Sequence, residues 1–253
     1  MNRFEKSTEK HTQLFGKGTG GVRATDPDFQ DILSHFIFGE VFYQGDLDDK
    51  MRVLIALVVL SVNQTLPQLK AHVAAALNIG LTPIEIKEAV YQCAPYIGFP
   101  KTLNSLREVN EVFTAKGIAL PIESQQTTDE ENRLEKGVAV QTAIFGDIIT
   151  KMRTNAPPNQ AHAHIQDYLS AFCFGDFYTR NGLSLTTREL LTICIVSALG
   201  GCESQVKAHV RGNINVGNDK ESMIAAITHC LPYMGFPRTL NALACINEII
   251  PEN

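Results

Sequence analysis

The chain writes one pattern twice. Gln68-Leu69-Lys70-Ala71-His72-Val73 returns as Gln205-Val206-Lys207-Ala208-His209-Val210, and Cys93-Ala94-Pro95-Tyr96-Ile97-Gly98-Phe99-Pro100 returns as Cys230-Leu231-Pro232-Tyr233-Met234-Gly235-Phe236-Pro237, both at an offset of 137 positions. A period this long exceeds any solenoid unit and describes two homologous domains fused in tandem. Arg3-Phe4-Glu5-Lys6 likewise matches Arg133-Leu134-Glu135-Lys136, and Phe38-Gly39-Glu40 matches Phe174-Gly175-Asp176. The offset widens across Asn155-Ala156-Pro157-Pro158-Asn159, which marks a loop insertion in the second copy, and one further residue enters near Gly200-Gly201. The first repeat then runs over 3–116 and the second over 133–253. The polar, acidic stretch 117–132 between them reads as a solvated linker.

Composition bounds what such a pair can do. Of 253 residues 44% are hydrophobic, enough for each repeat to bury a core. A net charge of -5 without a basic cluster argues against nucleic acid as a partner. No run of about eighteen apolar residues is present, and Met1-Asn2-Arg3-Phe4-Glu5-Lys6 lacks the apolar core of a signal peptide. The expectation is a cytoplasmic protein with no membrane association. The cysteines agree, because Cys93, Cys173, Cys194, Cys230 and Cys245 sit in apolar segments without a C-x-x-C pair, as buried reduced thiols do. Cys202 differs: it follows Gly200-Gly201 and precedes a polar segment, a setting for an exposed, reactive thiol.

The secondary structure reads as helix throughout. Thr82-Pro83 with Glu85 forms a capping box ahead of an apolar-periodic run. Gly80 and Gly217 stop the two His-bearing helices, and Pro100 and Pro237 open the last helix of each repeat. Hairpin signals are absent. The fold class is therefore all-α, with about six helices per repeat. The runs Val53 to Val62 and Leu190 to Leu199 are too apolar for surface helices and belong inside one domain, between the halves or between protomers.

At 100° per residue Thr65, Gln68 and His72 share one helix face, and Cys202, Gln205 and His209 share the equivalent face. An imidazole can deliver a proton near neutral pH, and an amide such as Gln205 can hydrogen-bond an oxyanion without competing for it. The plainer reading of each histidine is a satisfied core or surface residue. Glu189, after Arg188 on the preceding helix, can reach the Cys202 end of the site, and its counterpart is Val53, so it belongs to the second copy alone. Glu203 points away from His209 and reads as a surface residue. Tyr96, Phe99, Tyr233 and Phe236 lie in turns that stop one helix and start another, or else wall a small-molecule pocket facing the His helix. His162-Ala163-His164 lacks a third ligand at sensible spacing, so no metal is expected.

Arg-x-Leu, an apolar helix, Gln-x-x-x-His, a glycine turn and Tyr-x-Gly-x-Pro-x-x-x-Asn occur in that order in both copies. This order resembles the carboxymuconolactone decarboxylase family, which shares its all-helical fold with alkylhydroperoxidase D. The resemblance implies two tandem domains of that type. Peroxidase members carry Cys-x-x-Cys-x-x-x-His, whereas here Gln205 stands at the second Cys position and the first copy has Thr65 and Gln68, so neither helix can close that disulfide. The resemblance implies a cofactor-free decarboxylation, or related proton transfer, on a small lactone or keto acid, with His209 as the acid and His72 as its equivalent. A thiol-dependent peroxidase using Cys202 and a non-catalytic small-molecule binder are the alternatives. Single-domain relatives resemble trimers of dimers, which implies a homotrimer with pseudo-sixfold arrangement here.

Overall fold

The computed structural model describes residues 1–17, 22–149, 151 and 163–252. The expected loop insertion and His162 lie outside them. The first repeat folds as α1 (Arg3–Phe15), α2 (Pro27–Gly39), α3 (Asp49–Asn63), α4 (Leu66–Asn78), α5 (Pro83–Gln92) and α6 (Phe99–Ala115), with a single turn, Ala94–Ile97, before α6. The second follows with α7 (Arg133–Phe145), α8 (Ala163–Tyr168), α9 (Leu185–Leu199), α10 (Glu203–Asn215), α11 (Lys220–Met234) and α12 (Phe236–Ile249). Among the described residues there are no strands. No helix there is long and apolar enough to cross a membrane.

Side-chain caps start several of these helices, of which the box at Thr82 is legible in the sequence. The Asp48 carboxylate accepts from the Met51 N–H at 2.7 Å ahead of α3, and Ser184 Oγ accepts from the Thr187 N–H at 3.1 Å ahead of α9. Thr82 and Glu85 form the reciprocal box, at 3.1 and 2.7 Å, that opens α5. Gly98 and Gly235 adopt φ of 80° and 81°, which lets the chain reverse before a proline enters the next helix. One element departs from expectation. After α8 the helix widens into a π-helix over Leu169–Tyr178, sealed by Thr179 N–H donating to the Phe174 carbonyl five residues back at 3.2 Å. It carries Cys173, Phe174 and Tyr178, all buried.

The most apolar helices lie at the centre. Arg52 through Val62 and Arg188 through Ala198 are buried without interruption. α3 packs on α9 and α11, and α9 on α5, so the apolar runs are buried between the halves, and one hydrophobic cluster spans both repeats. Glu88 of α5 ties them together with a buried bidentate pair to Arg180 and a further bond from Arg188 Nη2 at 2.9 Å. Removing one member of such a set costs about 3–5 kcal/mol, because an uncompensated charge is left behind.

The stretch 117–132 is exposed at most positions and anchored at a few. Ile118 and Ile122 pack on the core, and the hydroxyls of Thr127 and Thr128 donate to the carbonyls of Thr179 and Gly175 at 2.8 and 3.0 Å. The Gln125 carbonyl accepts from the Asn181 N–H at 3.0 Å and the Thr127 carbonyl from Lys136 Nζ at 2.8 Å, so these points tie the stretch to the second repeat.

Candidate active site

α9 and α10 are antiparallel neighbours joined by the Gly200-Gly201 turn, so the start of α9 lies beside the C-terminal half of α10. Glu189 therefore meets His209, and it does not reach the Cys202 end of the site as the sequence suggested. The contact is direct: Glu189 Oε2 lies 2.9 Å from His209 Nδ1, with the two side chains 0% and 9% exposed. Asn213 locks the helix pair by donating to the carbonyls of Glu189 and His209 at 3.1 and 2.7 Å. Phe145 of α7 stands edge-on to the imidazole at 5.4 Å between ring centres. On a further side lies Tyr96 at 6.1 Å, contributed by the other repeat.

The protonation pattern follows from the partner. A carboxylate accepts and an imidazole must give it a proton, which assigns N–H to Nδ1 and leaves Nε2 as the exchangeable nitrogen. Nε2 has no hydrogen-bond partner among the described residues. The second carboxylate oxygen, Oε1, accepts from the Tyr178 hydroxyl at 2.7 Å. Burial, with Glu189 as the next cause, pushes the Tyr178 phenol well above its ordinary range, and burial does the same to Tyr96. Both act as neutral hydroxyls at any ordinary pH.

The first repeat builds the same shell without the acid chemistry. At the positions matching Glu189, Tyr178 and Thr192 it has Val53, Phe42 and Ala56. His72 keeps an aromatic neighbour in Phe15, at 5.3 Å, and faces Tyr233 of the second repeat at 5.6 Å. Its Nδ1 lies 2.9 Å from the Gln68 carbonyl, and Nε2 lies 3.4 Å from the Tyr233 hydroxyl. Burial lowers the His72 pKa and the Gln68 carbonyl opposes that shift. His72 is a neutral imidazole with both nitrogens engaged.

Other predicted residues fall elsewhere. The Gln205 side chain is exposed and accepts from Ser204 at 2.8 Å, and Gln68 is exposed too, so neither amide meets a histidine. Phe99 and Phe236 are exposed. Phe99 stacks on Phe172 at 5.4 Å and lines an open cleft of about 540 Å³ with Leu103, Phe177 and Arg180. Cys202 is half-buried just ahead of α10, about 10 Å along the axis from His209. It lines a small cleft with Arg238 and, unforeseen, Cys245 of α12. The other five thiols are buried as expected. His164 is exposed, and among the described residues no group of three side chains gathers to hold a metal.

Sequence reasoning missed Tyr178, Thr192 and Gln92. For Tyr178 and Thr192 the signal lay in comparing the chain with itself, where Tyr178 stands against Phe42 and Thr192 against Ala56, whereas Gln92 stands against the polar His229 and gave none. The buried hydroxyls of Tyr178 and Thr192 have apolar twins, and such groups need partners.

Comparison with known proteins agrees with this architecture. Residues 27–111 and 163–248 each match the model of the carboxymuconolactone decarboxylase family. The chain is 30% identical over 124 residues, 49% of its length, to the 4-carboxymuconolactone decarboxylase of Acinetobacter baylyi, covering 91% of that protein. It is 31% identical over 77 residues, 30% of its length, to a nitrosuccinic acid decarboxylase of Metarhizium robertsii, covering 54% of it. Among solved structures, a Burkholderia xenovorans chain provisionally described as a gamma-carboxymuconolactone decarboxylase subunit superposes with a TM-score of 0.52 over 94% of both chains, at 20% identity. That last likeness concerns the fold.

Proposed function

The chain belongs to the carboxymuconolactone decarboxylase family, and from that premise we propose that its second repeat carries a cofactor-free decarboxylation site with His209 as the proton donor. One observation carries the reading: the buried Glu189–His209 contact, which only the second repeat possesses. The two decarboxylases it resembles take acids of one kind by name, a carboxylactone and a nitro acid. In both, an electron-accepting group can hold the pair left behind when carbon dioxide departs. A small acid of that class is the substrate expected here.

The balance of the reaction is simple. The C–C bond to the carboxylate breaks, its electron pair stays on carbon and spreads into the lactone carbonyl or nitro group, and carbon dioxide leaves. The imidazolium Nε2–H of His209 then gives its proton to carbon. His209 keeps Nδ1–H on Glu189 throughout, and Nε2 takes up the one proton the reaction consumes from bulk solvent. Glu189 offsets the imidazolium charge at a buried position, where such a pairing is stronger than at the surface. A positioned acid of this kind contributes roughly 10²–10⁴ in rate.

The test uses the full chain with 4-carboxymuconolactone and nitrosuccinic acid, following carbon dioxide release. His209→Asn and Glu189→Gln should each lower kcat about 100-fold, within the range for a general acid. His72→Asn should leave it within about threefold, since the His72 Nδ1–H is committed to the Gln68 carbonyl and its Nε2 faces the Tyr233 hydroxyl. Activity that survives His209→Asn and disappears with His72→Asn overturns the assignment. A second reading, a thiol-dependent peroxidase, is favoured by the half-buried Cys202 beside Arg238 and Cys245. Cys202→Ser separates the two, because only the thiol reaction loses its nucleophile.

A further inference from the structure

A single line of hydrogen bonds leads from Glu189 into the interface between the repeats, and the chemistry of its two ends fixes its direction. Arg188 can only donate, and its Nη1 gives to Gln92 Oε1 at 2.9 Å. That orients the Gln92 amide, whose nitrogen then donates to Thr192 Oγ1 at 3.1 Å. Thr192 gives its own proton to the Tyr178 oxygen at 2.7 Å, and Tyr178 gives its proton to Glu189 Oε1 at 2.7 Å. A carboxylate accepts only, so the line ends there. All four bonds point from cation to anion. Tyr96 Oη lies 3.0 Å from Tyr178 Oη, and with the Tyr178 proton committed to Glu189 it is Tyr96 that donates.

We propose that Tyr178, Thr192 and the first repeat's Gln92 are positioning residues for the Glu189–His209 pair, forming an oriented hydrogen-bond line that fixes the carboxylate and leaves His209 Nε2 as the atom that exchanges protons. The proposal rests on the decarboxylase reading for its catalytic consequence, while the line itself stands on geometry. Its members are buried together: Gln92, Thr192, Arg188 and Glu189 are 0% exposed and Tyr178 4%. They are also absent together. The matching places in the first repeat's shell hold Val53, Phe42 and Ala56, and where Gln92 would stand is His229, whose two ring nitrogens have no hydrogen-bond partner among the described residues. Apart from the arginine, which both copies keep as Arg188 and Arg52, the chain has these links beside the carboxylate and lacks them where the carboxylate is missing. This makes the first repeat a structural part of the second repeat's site.

The physical consequence is measurable. Bonds in such a line polarise one another, so breaking an upstream link weakens the donor that reaches Glu189. A carboxylate with a weaker donor is more basic, and the Glu189–His209 pair then holds its proton to higher pH. The surrounding groups do not obscure this. Arg188 and Arg180 are committed to Glu88, the two tyrosines stay neutral, and burial pushes the Cys173 thiol up to about 12. Phe145 carries no charge.

The experiment is an NMR titration of His209 in the intact chain, with kcat and KM measured alongside. Tyr178→Phe should raise the His209 midpoint by about one pH unit, the worth of one hydrogen bond to a charged group. Thr192→Val, nearly the same shape, should raise it by about half a unit, since it acts through one further link. Thr192→Ser, which restores the hydroxyl, should return it to the parent value. In the active chain kcat should fall roughly tenfold for Tyr178→Phe with KM within about twofold, and Thr192→Ser should be rescued. A folded Thr192→Val whose His209 midpoint is unmoved overturns the line, even if decarboxylation is found. Should the midpoint shift while the parent chain decarboxylates neither acid, the line stands and the proposed reaction falls. If Tyr178→Phe does not fold, the Val and Ser variants decide alone.

Discussion

Position 212 shows how tightly one residue is bound to the chemistry beside it. A Cβ there would meet Glu189 Oε2 at 2.6 Å and Ile144 Cγ2 at 2.8 Å. The matching residue of the first repeat is Ala75, where Val53 replaces the carboxylate. Gly212→Ala should therefore push Glu189 off the imidazole, lower kcat at least tenfold and cost about 1–3 kcal/mol as an overpacked site. Adding Glu189→Val should recover part of the stability and none of the activity, as denaturant melts and rate measurements together would show. A second residue makes a prediction about pH. His229 is fully buried, and neither ring nitrogen has a hydrogen-bond partner among the described residues. Burial, with the charge of Arg52 as the next cause, pushes its pKa down to about 3. The unfolded chain binds that proton near 6.5, so the folded state loses stability as pH falls from 6.5 toward 3, by up to about 1.4 kcal/mol per unit. His229→Gln, the residue at the matching place in the first repeat, should flatten that fall. Urea midpoints at pH 7 and pH 5 that decline equally in both proteins would contradict it.

At the level of elements, most helices were legible and most meetings between them were not. The Thr82 capping box, the glycine stops and the prolines Pro100 and Pro237 mark where α5, α6 and α12 begin, because those signals are local, while the Asp48 and Ser184 caps of α3 and α9 went unread. Glu189 and His209 could each be picked out, yet their contact depends on the antiparallel return through Gly200-Gly201, which sets the start of α9 against the far end of α10. The pairing of Tyr96 with His209, and of Tyr233 with His72, was hidden because each tyrosine crosses to the other repeat. The π-helix left no periodic signal, since its run from Leu169 to Tyr178 is apolar nearly all round. Reasoning from one helix face also overlooked Cys245, which α12 brings to the Cys202 cleft. Burial raises the Cys245 pKa, only partly opposed by Lys207, so its thiolate is disfavoured. One equivalent of an organic peroxide should accordingly consume Cys202 alone, leaving five free thiols in a denaturing count. Loss of two, with a Cys202–Cys245 crosslink in the peptide map, would move the thiol reading ahead of decarboxylation.

Across the whole molecule, the doubling shows on the surface as well as in the core. Phe99 and Leu103 are 58% and 64% exposed, and their twins Phe236 and Leu240 are 62% and 58% exposed. Tyr168 and Ile165 repeat the exposure of Ile32 and Phe29 on the neighbouring helices. Scattered apolar side chains need no explanation, but two matching strips on two homologous halves suit a contact that is made twice. The two repeats already share one core, so each chain stands for a closed pair of single-domain units. Three chains joining strip to strip close a ring of six alike units, and closure leaves no unused face. The expected assembly is thus a homotrimer with pseudo-sixfold arrangement, and light scattering should give about three times the 27.8 kDa of one chain. Leu103→Glu and Leu240→Glu should each dissociate it, because each plants a charge in a strip that the ring buries. A single-chain mass for the parent protein at micromolar concentration would mean that the strips serve another purpose and that each chain completes its chemistry alone.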